Sequence, residues 1–555
     1  MARNNVDYEC GKLYQAALNG DWESVKDMLN IQRKITSKDE TTLHIAAAAN
    51  QEEFVKKLLK WMTLRNYSLK AVNIIGNTAL TYAAATGNVN IATAMVEINS
   101  DLPNLNSGKT PLYMAAFLGH TKMADYLYSK TSGVVCRWDV DQQADLFMTC
   151  VKSGVYGVAL EMLKAKPNLA KHNKDGETAL YVLASNPSAF FSETRPWLKL
   201  KKENSKQSQA NKLFENCLHA YRGDVENSLV IENALFDAAE EGNIECLIKL
   251  IHFDFGLLWK TKGKKSIFHV AVEKRHESIF YLLKEIGSVG DLIINSKIEN
   301  IGNILHLAAE LAPKEKLNAL SGAALQMQQE IFWFKEVEKI VPPEFKEMKN
   351  RDGDDGEKPY VLFARTHEEL RTKGEKWMIN TANYSMLVST IIGSIMFPGL
   401  IAEGLDNNSP NLYLVFSVAS VIALFSSSTS LVMFLSILTS RYSYNDFLLW
   451  LPLRLLIGVA TLCISIAAMM VAFFTSFMLK NFNRKELPVI FAVIGLFACA
   501  PILYVLLKWY LFADIARSTF FQWKPRQRIL YKKVSHEPAS PANRTSQQLA
   551  NQATV

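Results

Sequence analysis

The chain has few cysteines, and their spacing forms no pair. Its 555 residues include seven cysteines, with no CxxC pair and no His/Cys spacing typical of a metal site. An odd, dispersed set argues against a disulfide framework and favours a reducing cytosol. The seven are Cys10, Cys136, Cys150, Cys217, Cys246, Cys463 and Cys499. We therefore expect no metal ion and no cofactor.

Catalytic patterns are also missing. No Ser/His/Asp set, paired carboxylates or phosphate-binding loop recurs at useful spacing, and the loop after Ser440 lacks the Cys and His of a DHHC acyltransferase. The stretch RDGDDGE from Arg351 lacks the ligand spacing of a calcium loop, so we interpret it as a solvated loop. The net charge of +7 is mild, and no basic cluster with interleaved aromatics indicates nucleic acid. The sequence predicts a protein that is not an enzyme.

The N-terminal segment MARNNVDYEC lacks the apolar core of a signal peptide and the second-position glycine of a myristoylation site. Hydrophobic residues are instead concentrated later in the chain. Residues before about 380 are mixed in character, whereas about 383 to 512 is dominated by long apolar runs. We expect membrane insertion to depend on these runs.

A short segment rich in small residues recurs nine times before residue 320. The segments begin at residues 13, 43, 80, 112, 146, 180, 235, 268 and 305. Most steps lie close to the 33-residue period of ankyrin repeats, and one is 55 residues long. Two units, GNTALTYAAATGNVNIATAMV and GKTPLYMAAFLGHTKMADYL, show a turn, a small-residue helix, a glycine and a second helix. The pattern predicts a solenoid whose concave surface binds another protein.

Two further features of the repeats bear on function. Because His44, His269 and His306 follow the Thr, Ser or Asn of their repeats, we interpret them as structural histidines of the TPLH type. Trp22, Trp61 and Tyr67 are candidate contacts for a partner.

Four apolar runs follow the repeats, at about 383–402, 412–438, 455–479 and 488–507. Each reaches the roughly 20 residues that cross about 30 Å of hydrocarbon, and none contains a charged residue. Positive residues concentrate on one side of these runs, which predicts that both termini are cytosolic. The basic stretch WKPRQRILYKK would then meet the inner leaflet through Lys524, Arg526, Arg528, Lys532 and Lys533. A generic stop-transfer flank is the alternative interpretation.

The fold class expected from these patterns is all-α, an ankyrin-repeat solenoid followed by a four-helix transmembrane domain. Its regions are 1–185 with about six repeats, 186–230 as a polar insert, 231–320 with about three repeats, 321–382 as a helical connector, 383–512 as the transmembrane domain, and 513–555 as a basic and then disordered cytosolic tail.

The second apolar run carries an unusual number of hydroxyl groups. At 100° per residue, one stripe contains five of them, whereas Ser427 and Ser428 fall outside it. The five are Ser426, Thr429, Ser430, Ser436 and Ser440. Such a stripe either packs against a neighbouring helix or lines a pore. We favour packing because the runs contain no ionisable group.

Three segments resemble plant ankyrin-repeat membrane proteins with a PGG domain, of the accelerated-cell-death and salt-tolerance type. They are ALQMQQEIFWFKEVEKIVPPEFKEMKNRDG, HEELRTKGEKWMINTANYSMLVSTIIGSIMF and ALFSSSTSLVMFLSILTSRYSYNDFLLWLPLRLLIG. Pro398 and Gly399 match the first two residues of the Pro-Gly-Gly motif, and Leu400 replaces the third.

The resemblance implies a multi-pass protein of the plasma membrane that acts in plant defence, cell death, stress signalling or symbiosis. We therefore expect a membrane-anchored scaffold that binds cytosolic or receptor-associated proteins through its repeats, contacts membrane lipid and can form a homo-oligomer. An ion channel built from oligomerised helices is the alternative hypothesis.

Overall fold

The computed structural model describes residues 2–28, 30–105, 109–171, 177–190, 203–223, 228–294, 301–351, 356–402, 410–481, 513 and 530. Within these residues the regular structure is helical, and β-pairing is limited to isolated bridges such as Lys34 with Thr41 and Val72 with Thr78. The predicted all-α class is therefore confirmed. The chain divides into two compact units, residues 1–260 and 261–555.

Thirteen α-helices are described in the first unit. They are α1 (Ala2–Asn19), α2 (Thr42–Ala48), α3 (Glu52–Leu64), α4 (Ala79–Thr86), α5 (Val89–Ile98), α6 (Pro111–Phe117), α7 (Thr121–Val135), α8 (Val140–Ser153), α9 (Tyr156–Ala165), α10 (Ala179–Ala184), α11 (Glu203–Ala220), α12 (Ser228–Glu241) and α13 (Ile244–Phe253).

The second unit continues with α14 to α24. They are α14 (Ile267–Glu273), α15 (Glu277–Ile286), α16 (Ser288–Ile294), α17 (Ile304–Ala309), α18 (Lys314–Asn318), α19 (Ala323–Glu338), α20 (Pro343–Glu347), α21 (Pro359–Ala402), α22 (Pro410–Leu438), α23 (Tyr444–Leu448) and α24 (Trp450–Asn481).

The repeat pattern locates helices in both units. All nine predicted segment starts lie inside a helix, and a Thr with extended backbone caps several of them, as Thr110 does by accepting a 3.2 Å hydrogen bond from the Tyr113 amide. Gly87 and Gly154 end α4 and α8 with φ of 75° and 76°, a conformation that favours glycine. The paired alanines at the helix centres, such as Ala83 and Ala84, are fully buried. Small side chains thus let adjacent helices approach closely.

The polar insert predicted at 186–230 contains α11, which packs on α9 and α10. The Tyr221 hydroxyl donates a 3.1 Å hydrogen bond to the Ala170 carbonyl. Beyond the insert, the Asn243 amide donates to the Leu183 and Ala184 carbonyls at 3.2 and 3.0 Å. The insert therefore supplies a helix at the place of a second repeat helix, and the array continues across it.

The connector and the membrane half belong to the second unit. Helix α19 packs on α17, α21 and α23, and α22 packs on both α21 and α24. Two helical segments are long and apolar enough to cross a membrane, Asn411–Leu438 and Trp450–Leu479, with mean hydropathies of 2.1 and 2.5. They contain the second and third predicted runs.

The other two predicted runs have different outcomes. The first, 383–402, forms the C-terminal part of the 44-residue helix α21. The fourth, 488–507, lies outside the described residues, as do Lys524, Arg526, Arg528, Lys532 and Lys533. A four-helix transmembrane domain therefore stays a prediction.

Candidate functional site

An exposed aromatic pair marks a groove on the first unit. The Tyr113 and Phe117 rings in α6 lie 6.3 Å apart and are nearly parallel, and the Lys109 ammonium lies 4.2 Å from the centre of the Tyr113 ring. Phe117 is 61% exposed, which is unusual for a phenylalanine in the middle of a packed array. Its apolar surface is therefore available to a partner.

Helix α8 forms the other wall of this groove, which encloses about 450 Å³. The groove is lined by Tyr113, Phe117, Asp145, Met148, Thr149, Lys152, Ser153 and Glu177. Lys152 and Glu177 form an ion pair at its rim. An apolar floor with charged and hydroxyl groups at the edge suits a peptide segment that inserts an apolar side chain and pairs its polar groups at the rim.

The candidate contacts read from the sequence lie elsewhere in the first unit. Trp61 is only 6% exposed, and its ring stacks on Tyr67 at 5.2 Å. The Arg65 guanidinium covers the Trp61 ring at 4.5 Å, and Trp22 meets the Phe54 ring edge-on at 5.5 Å. Trp61 is thus a packing residue rather than an exposed contact. The groove at Phe117 was missed because composition alone does not distinguish an exposed phenylalanine from a buried one.

The three repeat histidines each accept a hydrogen bond at Nδ1 from a backbone amide three residues earlier. His44 Nδ1 accepts a hydrogen bond from the Thr41 amide at 3.2 Å, and its Nε2 lies 3.1 Å from the Asn77 carbonyl in the next unit. His306 Nδ1 accepts from the Asn303 amide at 3.2 Å, and His269 Nδ1 accepts from the Ser266 amide at 3.2 Å. An Nδ1 that accepts and an Nε2 that faces a carbonyl require the neutral Nε2–H tautomer for His44.

Burial favours the same neutral form. It lowers the pKa of His44 and of His306, and it lowers the pKa of His269 to about 4 with help from the nearby Lys265 charge. These histidines therefore hold turns together, as predicted from the sequence.

Comparison with known families agrees with this geometry. Residues 13–103 and 62–140 match the family model "Ankyrin repeats (3 copies)". The N-terminal units are ankyrin repeats. No curated protein matches the chain at a significant level. Because ankyrin repeats generally mediate protein–protein binding, the groove at Phe117 lies on a surface of the appropriate kind.

A buried ion network joins the last repeats to the connector and to α21. The Arg275 guanidinium contacts the Glu330 carboxylate at 2.8 Å through Nη2 and 3.2 Å through Nε. His367 Nε2 lies 3.0 Å from the same carboxylate, and the Ala312 amide donates to it at 3.1 Å. Arg275, Glu330 and His367 are 7%, 2% and 0% exposed. Since they lie on three different segments, the network fixes how these segments pack.

The protonation state of Glu330 determines the net charge of this network. Burial alone would raise the pKa of Glu330, but the Arg275 guanidinium and the His367 hydrogen bond outweigh burial and hold that pKa at about 2. Glu330 is therefore ionised at neutral pH and compensates the buried arginine.

The start of α21 has the geometry of a further ankyrin repeat. The stretch GEKPYVLFA from Gly356 parallels GKTPLYMAA from Gly108. Asn350 pairs with Glu357, whose carbonyl also lies 3.1 Å from His306 Nε2, as the Asn77 carbonyl does for His44. The helix that begins at Pro359 therefore takes the position of a tenth repeat helix, whereas residues 352–355 of the RDGDDGE stretch lie outside the described residues. Tyr360 follows Leu305 by 55 residues, the same step that separates Leu180 from Leu235, and this spacing is the signal that could have identified it.

The structure places the five hydroxyls of the predicted stripe in different surroundings. Ser430 is fully buried, accepts a 3.0 Å hydrogen bond from the Ser389 hydroxyl of α21, and donates a 2.9 Å bond to the Gly458 carbonyl of α24. Ser426 and Thr429 donate to carbonyls of their own helix. Only Ser430 of these three therefore links helices.

The last two stripe residues meet Arg454 of α24. Its Nη1 donates to the Ser440 hydroxyl at 2.7 Å and to the Ser436 carbonyl at 3.2 Å. Ser427, which the stripe omits, is buried and donates to the Ser389 carbonyl. The hydroxyls thus form hydrogen bonds in two regions. One is the contact between helices around Ser430, and the other is the end of α22 beside Arg454.

The remnant of the Pro-Gly-Gly motif lies in the last turns of α21. Pro398 is inside the helix, and a Cβ added to Gly399 would meet no atom within 4 Å. Among the described residues, nothing close to Gly399 requires the missing side chain.

Proposed function

We propose that this chain is a membrane-anchored adaptor whose ankyrin repeats bind a segment of a protein partner, and that it acts without catalysis. The observation that carries the proposal is the groove between α6 and α8, where Phe117 is 61% exposed above about 450 Å³ of open volume. Exposed aromatic residues beside a pocket are typical anchors for a partner side chain.

The membrane half supports the anchoring part of the proposal. Two apolar segments reach the length of a span, and a third apolar run continues directly from the tenth repeat helix through α21. We propose a multi-pass arrangement in the plasma membrane with both termini in the cytosol, on the basis of the loop charges. The PGG-like segments favour cytosolic or receptor-associated partners in defence, cell death, stress signalling or symbiosis.

The alternative function, an ion channel formed by oligomerised helices, requires hydroxyls that face a pore. The burial of Ser430 between α21 and α24 favours helix packing instead.

A photo-crosslinking amino acid placed at Phe117 in the full chain, in intact membranes, tests the adaptor proposal. A second chain carries the same crosslinker at Leu64, which is 75% exposed outside the groove. We expect a defined protein adduct at Phe117 that disappears when Thr149, a half-buried residue of the groove wall, is replaced by Arg, and no equivalent adduct at Leu64. Equal adducts at both positions would show that the groove is not a binding site.

The anchoring is tested separately on the same membranes. We expect the full chain to stay in the pellet after alkaline extraction. Release into the supernatant would contradict membrane anchoring without affecting the result at the groove.

A further inference from the structure

A polar cavity lies where the two candidate spans meet the end of the apolar region. It encloses about 510 Å³ between the C-terminal end of α22 and the start of α24. The residues that line it include Arg441, Arg454, Thr439 and Ser440. One candidate span ends at Leu438 and the other begins at Trp450, so the proposed membrane anchoring would place the cavity at the depth of the lipid headgroups.

The two arginines are not neutralised by a neighbouring carboxylate. In the part of the chain that the structure describes, neither Arg441 nor Arg454 forms an ion pair, and Arg454 is held by neutral oxygens of Ser440 and Ser436. The cavity also contains Asp446, whose carboxylate is engaged by the Ser443 amide at 3.2 Å and hydroxyl at 2.9 Å. The site therefore has two positive charges against one negative charge that already has partners.

The loop that carries Arg441 is fixed to the end of α22. Tyr442 is 4% exposed, has a φ of 53°, and donates a 2.9 Å hydrogen bond from its hydroxyl to the Ile437 carbonyl. Trp450, at the mouth of the cavity, is 58% exposed. Tryptophan at this depth is typical of the membrane interface, where its ring lies among headgroups and its N–H meets polar atoms.

We propose that this cavity binds the phosphate group of an anionic membrane phospholipid. The two guanidinium groups match the charge and the acceptor oxygens of a phosphate, because each presents a planar fork of donors. The Thr439 and Ser440 hydroxyls donate to carbonyls at the end of α22, so the arginines supply the phosphate contacts. The acyl chains would lie along the apolar surface of α22, and Trp450 would cover the headgroup. The proposal rests on the membrane anchoring above and assigns a lipid class to one site within it.

Native mass spectrometry of the full chain, in micelles that contain equal amounts of phosphatidic acid and phosphatidylcholine, tests the proposal. We expect the wild type to retain phosphatidic acid in preference to phosphatidylcholine. The preference should fall about thirtyfold in the R441Q/R454Q double variant, the order expected when two basic contacts to anionic lipid are removed. The R441Q single variant, whose side chain makes no bond needed for folding among the described residues, should lose part of it.

The matched control changes the same charge outside the cavity. Lys373 and Lys376 are exposed on α21, so the K373Q/K376Q double variant should keep the full preference. Equal retention of phosphatidic acid by the wild type and R441Q/R454Q would overturn the proposal. Inorganic phosphate that displaces the lipid at equal concentration would also overturn it, in favour of a soluble phosphate ligand. Alkaline extraction of the same variants keeps these outcomes separate from a failure of anchoring, since loss of the lipid site alone leaves the chain in the pellet.

Discussion

The hydroxyl of Ser430 donates a 2.9 Å hydrogen bond to the backbone carbonyl of Gly458, which joins α22 to α24. The two helices are close here because Gly458 has no side chain, and an added Cβ would come within 2.8 Å of the Phe434 ring. Small residues that let helices approach are typical of membrane interfaces. We expect Ser430→Ala to reduce the free energy of unfolding by about 0.6–1.7 kcal/mol, measured by unfolding in mixed micelles.

The control for this prediction is Ser426→Ala, since the Ser426 hydroxyl bonds only to its own helix. It should change the free energy of unfolding by less than about 0.5 kcal/mol. The same pair of positions tests the channel hypothesis. Ion flux from proteoliposomes that disappears in a Ser426→Leu, Ser430→Leu variant, while the variant remains folded, would contradict the packing interpretation.

The buried carboxylate of Glu330 gives a second prediction. Glu330→Gln leaves the Arg275 guanidinium without its counter-charge, so we expect a loss of about 3–5 kcal/mol in the free energy of unfolding of the second unit. Glu338→Gln is the matched control, because Glu338 is 39% exposed and its partner Lys346 lies 3.6 Å away. Hydrogen exchange of α19 as a function of denaturant concentration measures both. Equal effects of the two variants would show that the network contributes no more than a surface ion pair.

Glu277 should make the stability of the last repeats depend on pH. Burial raises its pKa to about 8 from an ordinary value of 4.5, against a smaller opposing effect of Lys316. Because the folded pKa is the higher one, the protonated group favours folding at low pH, and this contribution is lost as pH rises from about 4.5 through 8. Glu277→Gln should therefore become more stable than the wild type, by roughly 1–3 kcal/mol at pH 8. Denaturation midpoints at pH 5, 7 and 8.5 test this, and a constant difference would contradict it.

His269 should make the folded state less stable at low pH, whereas Glu277 makes it less stable at high pH. Its folded pKa of about 4 lies below the ordinary 6.5, so the neutral form favours folding. This contribution is fully present above pH 6.5 and is lost as pH falls toward 4, by up to about 3 kcal/mol. Hydrogen exchange of α14 should accelerate between pH 6.5 and 4.5 beyond the intrinsic change in rate. Substitution His269→Gln should remove that extra acceleration, although it also loosens the turn at all pH values.

The repeat architecture was predictable because its signals are local. The Thr or Ser cap, the small helix and the closing glycine recur at nearly constant spacing, and each fixes a backbone conformation near itself. The tenth repeat was missed because α19 is inserted before it, which moves its start at Tyr360 far out of the regular period. The sequence of helix α11 predicts a polar insert for a related reason, because Lys206 and Lys212 are exposed on the outer side of a helix whose inner side is apolar.

The stripe illustrates what sequence chemistry does not determine. The predicted stripe of hydroxyl groups includes Ser426 and Thr429, which form hydrogen bonds within their own helix. It omits Ser427, which contacts α21. The buried face instead alternates steps of three and four residues through Ser420, Ala423, Ser427, Ser430, Phe434 and Ile437. That spacing is typical of two helices packed side by side, and both serines and apolar residues occupy the buried positions. The cavity at Arg454 was not predictable because it depends on how two separate helix ends meet.

The continuous helix α21 fixes the distance and the rotation between its N-terminal part and its apolar part. About 24 of its residues, 359–382, precede the apolar part, and at about 1.5 Å per residue they span roughly 36 Å along the helix axis. One inserted residue would add little to that length but would turn everything above it by about 100°. The first turns of α21, and the repeats that pack on them, are thereby held at a fixed distance and a fixed rotation relative to the apolar part of the helix.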